Sequence, residues 1–142
     1  MSLACHCYPP RMRILIVEDE AAAFNRLVKL LAEVAPEAEV VANTTSVAAT
    51  VQWLADNPAP DLALFDVRLS DGDSFAVFQR ATLECPVIFT TAFDEHALKA
   101  FRVHALDYLL KPVRRDRLET ALQKARAMLA KEDSWPATSD LP

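Results

Sequence analysis

Polar groups close four apolar runs in this chain. Glu18-Asp19 follow Ile14-Leu15-Ile16-Val17, and Asp66 follows Leu62-Ala63-Leu64-Phe65. Thr90-Thr91 follow Val87-Ile88-Phe89, and Lys111 follows Tyr108-Leu109-Leu110. Gathered in one place, the three carboxylates repel. Two unit charges about 4 Å apart cost roughly 4 kcal/mol at an effective dielectric near 20. Such crowding persists when one carboxyl keeps its proton or a cation fills the gap. An all-oxygen site open to water and phosphate suits Mg²⁺, which takes one or two carboxylates and keeps its waters. Mn²⁺ can substitute. In that setting Asp66 is a carboxylate nucleophile able to attack phosphorus and form an acyl phosphate. A threonine hydroxyl can donate to one phosphoryl oxygen, and Lys111 can bring a mobile charge to another. The chemistry predicted is phosphoryl transfer onto an aspartate.

The elements that must position these groups are legible as an alternation. Strands are predicted at Arg13–Val17, Glu39–Ala42, Leu62–Phe65, Pro86–Phe89 and Asp107–Leu110. Between them, apolar residues recur at helical spacing. The first helix carries Phe24, Leu27, Leu30, Leu31 and Val34, with Pro36 just beyond its end. A second begins near Thr45 or Ser46, either a good N-cap. A third runs from about Ser74 to Leu83, a fourth begins near Asp94, and a last spans about Arg114 to Ala130. Gly72, the single glycine, follows Asp71 in a turn signal. Strand–helix alternation implies a parallel sheet covered on both faces. We therefore expect an α/β, flavodoxin-like, doubly wound fold with five strands in the order 2-1-3-4-5. Ligands of such sheets bind outside the carboxyl ends of the strands, at the point where the order reverses. The second strand would lie at the edge. Its exit, Val41-Ala42-Asn43, is the one without a strongly reactive group.

At 142 residues the chain suits one domain, with 52% hydrophobic and 25% charged residues, a globular balance. No apolar run approaches the roughly 20 residues needed to span a bilayer. Residues 1–11 lack the basic start and apolar stretch of a secretory signal. The expected location is cytoplasmic. A net charge of −5 argues against non-specific DNA binding by this domain. Cys5, His6 and Cys7 lack a second ligand pair at zinc-site spacing, so residues 1–11 read as a tail, native or added in cloning, and Met12 would serve as a start. Residues 131–142 turn polar and proline-bearing, as a linker or tail does.

With these residues in view, the chain resembles a receiver domain of a two-component response regulator. The matching segments are Val17-Glu18-Asp19-Glu20, Leu64-Phe65-Asp66-Val67-Arg68-Leu69, Thr90-Thr91-Ala92 and Tyr108-Leu109-Leu110-Lys111-Pro112. They cover about residues 12 to 130. The stretch Thr91-Ala92-Phe93-Asp94-Glu95-His96-Ala97 through Lys111-Pro112 is most similar to regulators of the LytR/AlgR type. The resemblance implies Asp66 as phosphoacceptor, Glu18 and Asp19 as the acidic pair holding Mg²⁺, and the backbone carbonyl of Arg68 as a further ligand. It makes Thr91 the switch hydroxyl, Lys111 the phosphate-binding lysine, Tyr108 the aromatic that changes rotamer, and Lys111–Pro112 a cis bond. Glu18 stands where aspartate is commoner, and its longer arm suggests contact through water. Arg68 and Phe93, both bulky, lie where they would slow loss of the phosphoryl group to water. The implied partner is a sensor histidine kinase. The surface of the fourth helix, fifth strand and fifth helix (α4-β5-α5 in the family's usual numbering) would serve as a homodimer face. DNA would be met only through a LytTR-type output domain outside this chain.

Each residue alone has a plainer reading. Asp19 could cap the first helix, Asp73 or Ser74 the third, and Tyr108 is an ordinary strand aromatic. His96 and His104 read as surface groups. Arg102, Arg114, Arg115, Arg117, Lys124 and Arg126 read as solvated helix faces or an ion-paired surface with Asp107 and Glu119, where single pairs contribute only about 0–1 kcal/mol. Only the coincidence at four strand ends makes the functional reading strong. A stand-alone receiver acting through protein contacts is the alternative output. An aspartate-nucleophile phosphatase would need an acid/base carboxylate where Arg68 stands, so a phosphoacceptor rather than a turnover enzyme is expected. A dinucleotide-binding dehydrogenase is excluded, because no glycine-rich loop follows the first strand.

Overall fold

The structure, a computed structural model, describes residues 12–92 and 105–130. Five parallel strands form the main sheet: β1 Met12–Val17, β2 Ala38–Thr44, β3 Leu62–Asp66, β6 Val87–Thr91 and β7 Asp107–Leu110. Their order is β2-β1-β3-β6-β7, the expected doubly wound arrangement. Two short strands, β4 Arg68–Leu69 and β5 Gly72–Asp73, form an antiparallel hairpin after β3. Gly72 adopts φ 140°, a region that favours glycine. The helices are α1 Ala21–Val34, α2 Val47–Asp56, α3 Phe75–Arg80 and α4 Arg115–Ala130.

Side chains alternate across a strand, so each sheet face collects its own core. Ile14, Ile16, Leu62, Leu64, Ile88 and Leu109 pack with Leu27, Leu30 and Leu31 of α1 and with Leu118, Ala121 and Leu122 of α4. Leu15, Val17, Ala63, Phe65, Val87 and Phe89 fill the other face with Val47 of α2 and Val77 of α3. Each buried leucine, isoleucine or phenylalanine contributes about 1.5–3 kcal/mol. Arg126 of α4 ties the first layer together. Its Nε is 2.9 Å from Glu37 Oε2, and its Nη2 donates to the Val34 carbonyl at the end of α1.

Local details refine the sequence reading. Ser46 is the N-cap of α2 and accepts from the Ala49 N–H. Glu20, not Asp19, holds the N-cap position of α1, and its side chain makes no capping bond. Three alanines start that helix instead, good formers that need little help. Ser74 precedes α3 without a side-chain cap, while Asp73 pairs with Arg68. The third helix ends at Arg80 rather than Leu83. Ala81 is extended, and the chain then runs so that Leu83 and Cys85, two residues apart, both reach the core. The predicted fourth helix from Asp94, with Phe93, His96, Arg102 and His104, lies outside the described residues. So do residues 1–11 and 131–142.

Candidate functional site

The row Leu62, Leu64 on β3 continues at Asp66, and the row Ile14, Ile16 on β1 continues at Glu18. Ile88 continues at Thr90, which pairs in register with Asp66 on the neighbouring strand. Leu109 continues at Lys111, whose N–H donates to the Thr91 carbonyl at 2.6 Å. Alternation thus brings four polar groups to one rim, above the α1–α4 face of the sheet.

Glu18, Asp19 and Asp66 each offer a carboxylate oxygen, all within 4.8 Å of one another. Glu18 is only 1% exposed, Asp66 is buried and Asp19 is exposed. Lys111 Nζ lies 2.8 Å from Glu18 Oε1 and 3.3 Å from Asp66 Oδ2. Burial pushes the Glu18 carboxyl above its ordinary range; the Lys111 bond pulls it back, and Asp66 adds to the rise. Burial works against the Lys111 charge, but Glu18 and Asp66 outweigh it and hold the ammonium above the usual lysine range. Among the described residues, this cluster of three acids has the Lys111 ammonium bridging two of its members, Glu18 and Asp66, and all its ligand atoms are oxygen. That donor set fits a hard divalent ion.

Backbone and amide groups hold the rim in place. The Glu18 N–H donates to the Thr44 carbonyl, and Asn43 Nδ2 donates to the carbonyls of Ile16 and Glu18 at 3.1 and 3.2 Å. The Glu20 N–H donates to Glu18 Oε2. Asn43 sits at the strand exit whose sequence carried no reactive group, and its work here is structural.

The family model described as "Response regulator receiver domain" matches residues 14–123. The chain belongs to the response regulator receiver family. Its curated relatives are of the LytT, LytR and alginate-regulator type. The receiver is 37% identical over 117 residues to the sensory transduction protein LytT of Enterococcus faecalis, covering 80% of this chain and 48% of that protein. It is 40% identical over 134 residues to the positive alginate biosynthesis regulatory protein of Pseudomonas aeruginosa, covering 89% and 54%. The chain therefore spans about half the length of these relatives. Among solved structures, the response regulatory domain of mrkE from Klebsiella pneumoniae superposes with a TM-score of 0.74 at 28% identity, covering 84% of this chain and 99% of that one.

Other expected receiver positions fall as follows. Thr91 ends β6 and is buried, one residue past Thr90. Tyr108 is half-buried on β7, stacked on Phe89 with ring centroids 5.7 Å apart. Arg68 opens β4, its exposed side chain 3.5 Å from Asp73. The Lys111–Pro112 bond is cis. Asp107 is engaged within the chain by Lys124 at 3.2 Å and Arg117 at 3.9 Å.

Two features escaped the sequence reading. Thr90 is 1% exposed, and its hydroxyl has no hydrogen-bond partner among the described residues. It lines a cavity of about 350 Å³ with Glu18, Lys111, Ala22, Ala23 and Arg26. Arg26 and Val113, both in its lining, are joined: Arg26 Nε and Nη2 both donate to the Val113 carbonyl. Only the alternation of side chains, counted back from Asp66, could have picked Thr90 out.

Proposed function

We propose that this receiver takes a phosphoryl group onto Asp66 from the phosphohistidine of a sensor histidine kinase. The observation that carries the reading is Lys111 bridging Glu18 and Asp66 in a carboxylate cluster at the strand ends of a receiver fold. An Asp66 oxygen attacks phosphorus, and the P–N bond to the kinase's histidine breaks. The imidazole keeps the electron pair and regains neutrality by proton exchange. Glu18, Asp19, Asp66 and the Arg68 carbonyl would hold Mg²⁺, or Mn²⁺, which offsets charge between the carboxylates and the phosphoryl group. Lys111 shifts toward a phosphoryl oxygen, while Thr91 donates its hydroxyl to another.

Phosphorylation adds charge and acceptor oxygens at this rim. Drawing Thr91 inward biases Tyr108 and the surface of β7 and α4 between two states. Leu110 on β7 is 51% exposed, which supports that surface as a homodimer face. The output we propose is transcriptional, through a LytTR-type DNA-binding domain outside this chain. The relatives' greater length and a name such as "Transcriptional regulatory protein LytR" support it. No described helix is long and apolar enough to cross a membrane. A kinase donor points to the cytoplasm. Incubation with acetyl phosphate and Mg²⁺, followed by intact mass, tests the reading. The parent gains a labile phosphoryl-sized mass and Asp66→Asn does not; equal gain by both would overturn it.

A further inference from the structure

We propose that Asp71 is a positioning residue for the rim around Asp66, acting through the hairpin it tips rather than by touching the site. The inference rests on the phosphoacceptor reading above.

The β4–β5 hairpin pairs Arg68 with Asp73 and Leu69 with Gly72. Two-residue strands have little stability of their own. The base of the hairpin is fixed at the sheet. The Val67 N–H donates to the carbonyl of Thr90, the register partner of Asp66, and the Ser74 N–H donates to the Val67 carbonyl. Leu69 is buried against the α2–α3 core. The tip is fixed at a different element. Asp71 Oδ1 accepts from the Val47 N–H at 2.7 Å and Oδ2 from the Ala48 N–H at 3.1 Å. Ser70 Oγ donates to the Thr45 carbonyl at 3.2 Å.

The two Asp71 bonds satisfy the first amides of α2, which no helical carbonyl can reach. Ser46 takes the next, from Ala49. A carboxylate at that helix end is also favoured by the helix dipole. The two amide bonds, Val47 first, hold the Asp71 carboxyl below its ordinary range. The carboxylate is therefore charged and seated at neutral pH.

Arg68 begins the hairpin two residues after Asp66. With the base bonded to β6 and the tip bonded to α2, the backbone at Arg68 is fixed on both sides. Removing the Asp71 carboxylate takes two of the three bonds from the tip, leaving Ser70 and Leu69 to hold it, and the Arg68 carbonyl proposed for the cation gains freedom to move. Groups that merely orient metal ligands typically change affinity by about 10–100-fold when removed.

Titration of the full chain with Mg²⁺ alone, by calorimetry, tests this. Asp71→Ala is expected to weaken binding by about tenfold. Asp71→Asn, which keeps one oxygen for the Val47 amide, is expected to recover part of the loss. Ser46→Ala is the control: it frees the Ala49 amide and loosens α2 without touching the hairpin, so amide exchange there rises while Mg²⁺ affinity stays at the parent value. Asp71→Ala binding Mg²⁺ as the parent does would overturn the inference. Ser46→Ala weakening it as much as Asp71→Ala would do so too, since general loosening of α2 would then explain the effect. Should the alanine variant fail to fold, the asparagine variant alone decides: affinity unchanged from the parent sinks the idea. A parent that binds no Mg²⁺ removes the phosphoacceptor reading and this inference together.

Discussion

Lys111 sits closer to Glu18 than to Asp66, at 2.8 Å against 3.3 Å. The ammonium thus rests mainly on a carboxylate that is not the proposed acceptor. Glu18 has both oxygens engaged, Oε1 by Lys111 and Oε2 by the Glu20 N–H. On the proposed reading, a modest swing would take the ammonium from Glu18 to an oxygen of a phosphoryl group on Asp66.

Removing that ammonium leaves buried acids facing each other. Breaking a buried pair by deleting one partner costs roughly 3–5 kcal/mol. Lys111 is partly exposed, so Lys111→Ala is expected to lose about 2–3 kcal/mol in metal-free buffer. Mg²⁺ should restore more stability to this variant than it adds to the parent. Urea unfolding with EDTA and with Mg²⁺ measures both; equal stability of variant and parent in EDTA would contradict the account.

The converse change relieves crowding. Asp66→Asn takes one charge from the cluster of Glu18, Asp19 and Asp66, and is expected to raise metal-free stability by about 1 kcal/mol. It should also shrink the gain in melting temperature that Mg²⁺ gives the parent, because a bound ion stabilises by mass action. Paired thermal melts decide this. A variant less stable than the parent in EDTA would show that the Lys111 attraction outweighs the repulsion.

Phe89 anchors the opposite face. Its ring lies 5.1 Å from that of Phe75, 5.8 Å from Phe78, 6.1 Å from Phe65 and 5.7 Å from Tyr108. Phe89→Ala is expected to cost about 3–5 kcal/mol by chemical unfolding. Tyr108 should lose its stacked setting, visible as collapse of the near-ultraviolet circular dichroism. A loss under about 1 kcal/mol would mean the cluster closes over the gap.

Cys85 supplies a pH test away from the rim. Burial, then the Asp61 charge, pushes its thiol up to about 12 from an ordinary 9.0. The folded chain holds this proton more tightly than the unfolded chain does. The resulting stability is complete below pH 9 and lost as pH rises toward 12. Between those limits Cys85→Ala should lose stability less steeply than the parent. At pH 8 the folded thiol is protonated. Brief iodoacetamide treatment with peptide mapping should leave Cys85 unlabelled in the native chain and label it after unfolding. Labelling in the native chain would refute the buried setting.

Much of this architecture was readable from residues alone, and the reason is local. Four apolar residues followed by a charge mark both a strand and its exposed end, as Leu62–Phe65 then Asp66 do. Lys111 and Glu18 could be placed at the same rim because a parallel sheet aligns its carboxyl ends. Contacts between elements were not readable. Asp71 looked like a turn residue, and nothing near it in sequence names Val47 and Ala48 as its donors. Asn43 looked inert at an edge-strand exit, yet it bonds the β1 end. The end of α3 was misplaced because Leu83 continues a helical apolar pattern but is drawn into the core from an extended segment.

Borohydride trapping tests the central claim most directly. An acyl phosphate on a carboxylate is reduced to the alcohol, so a phosphorylated aspartate becomes homoserine. After treatment with acetyl phosphate and Mg²⁺, then borohydride, peptide sequencing by mass should find homoserine at position 66, and none when Mg²⁺ is replaced by EDTA. Homoserine at Asp19 or another acidic position, or at none while the donor is consumed, would contradict Asp66 as the acceptor.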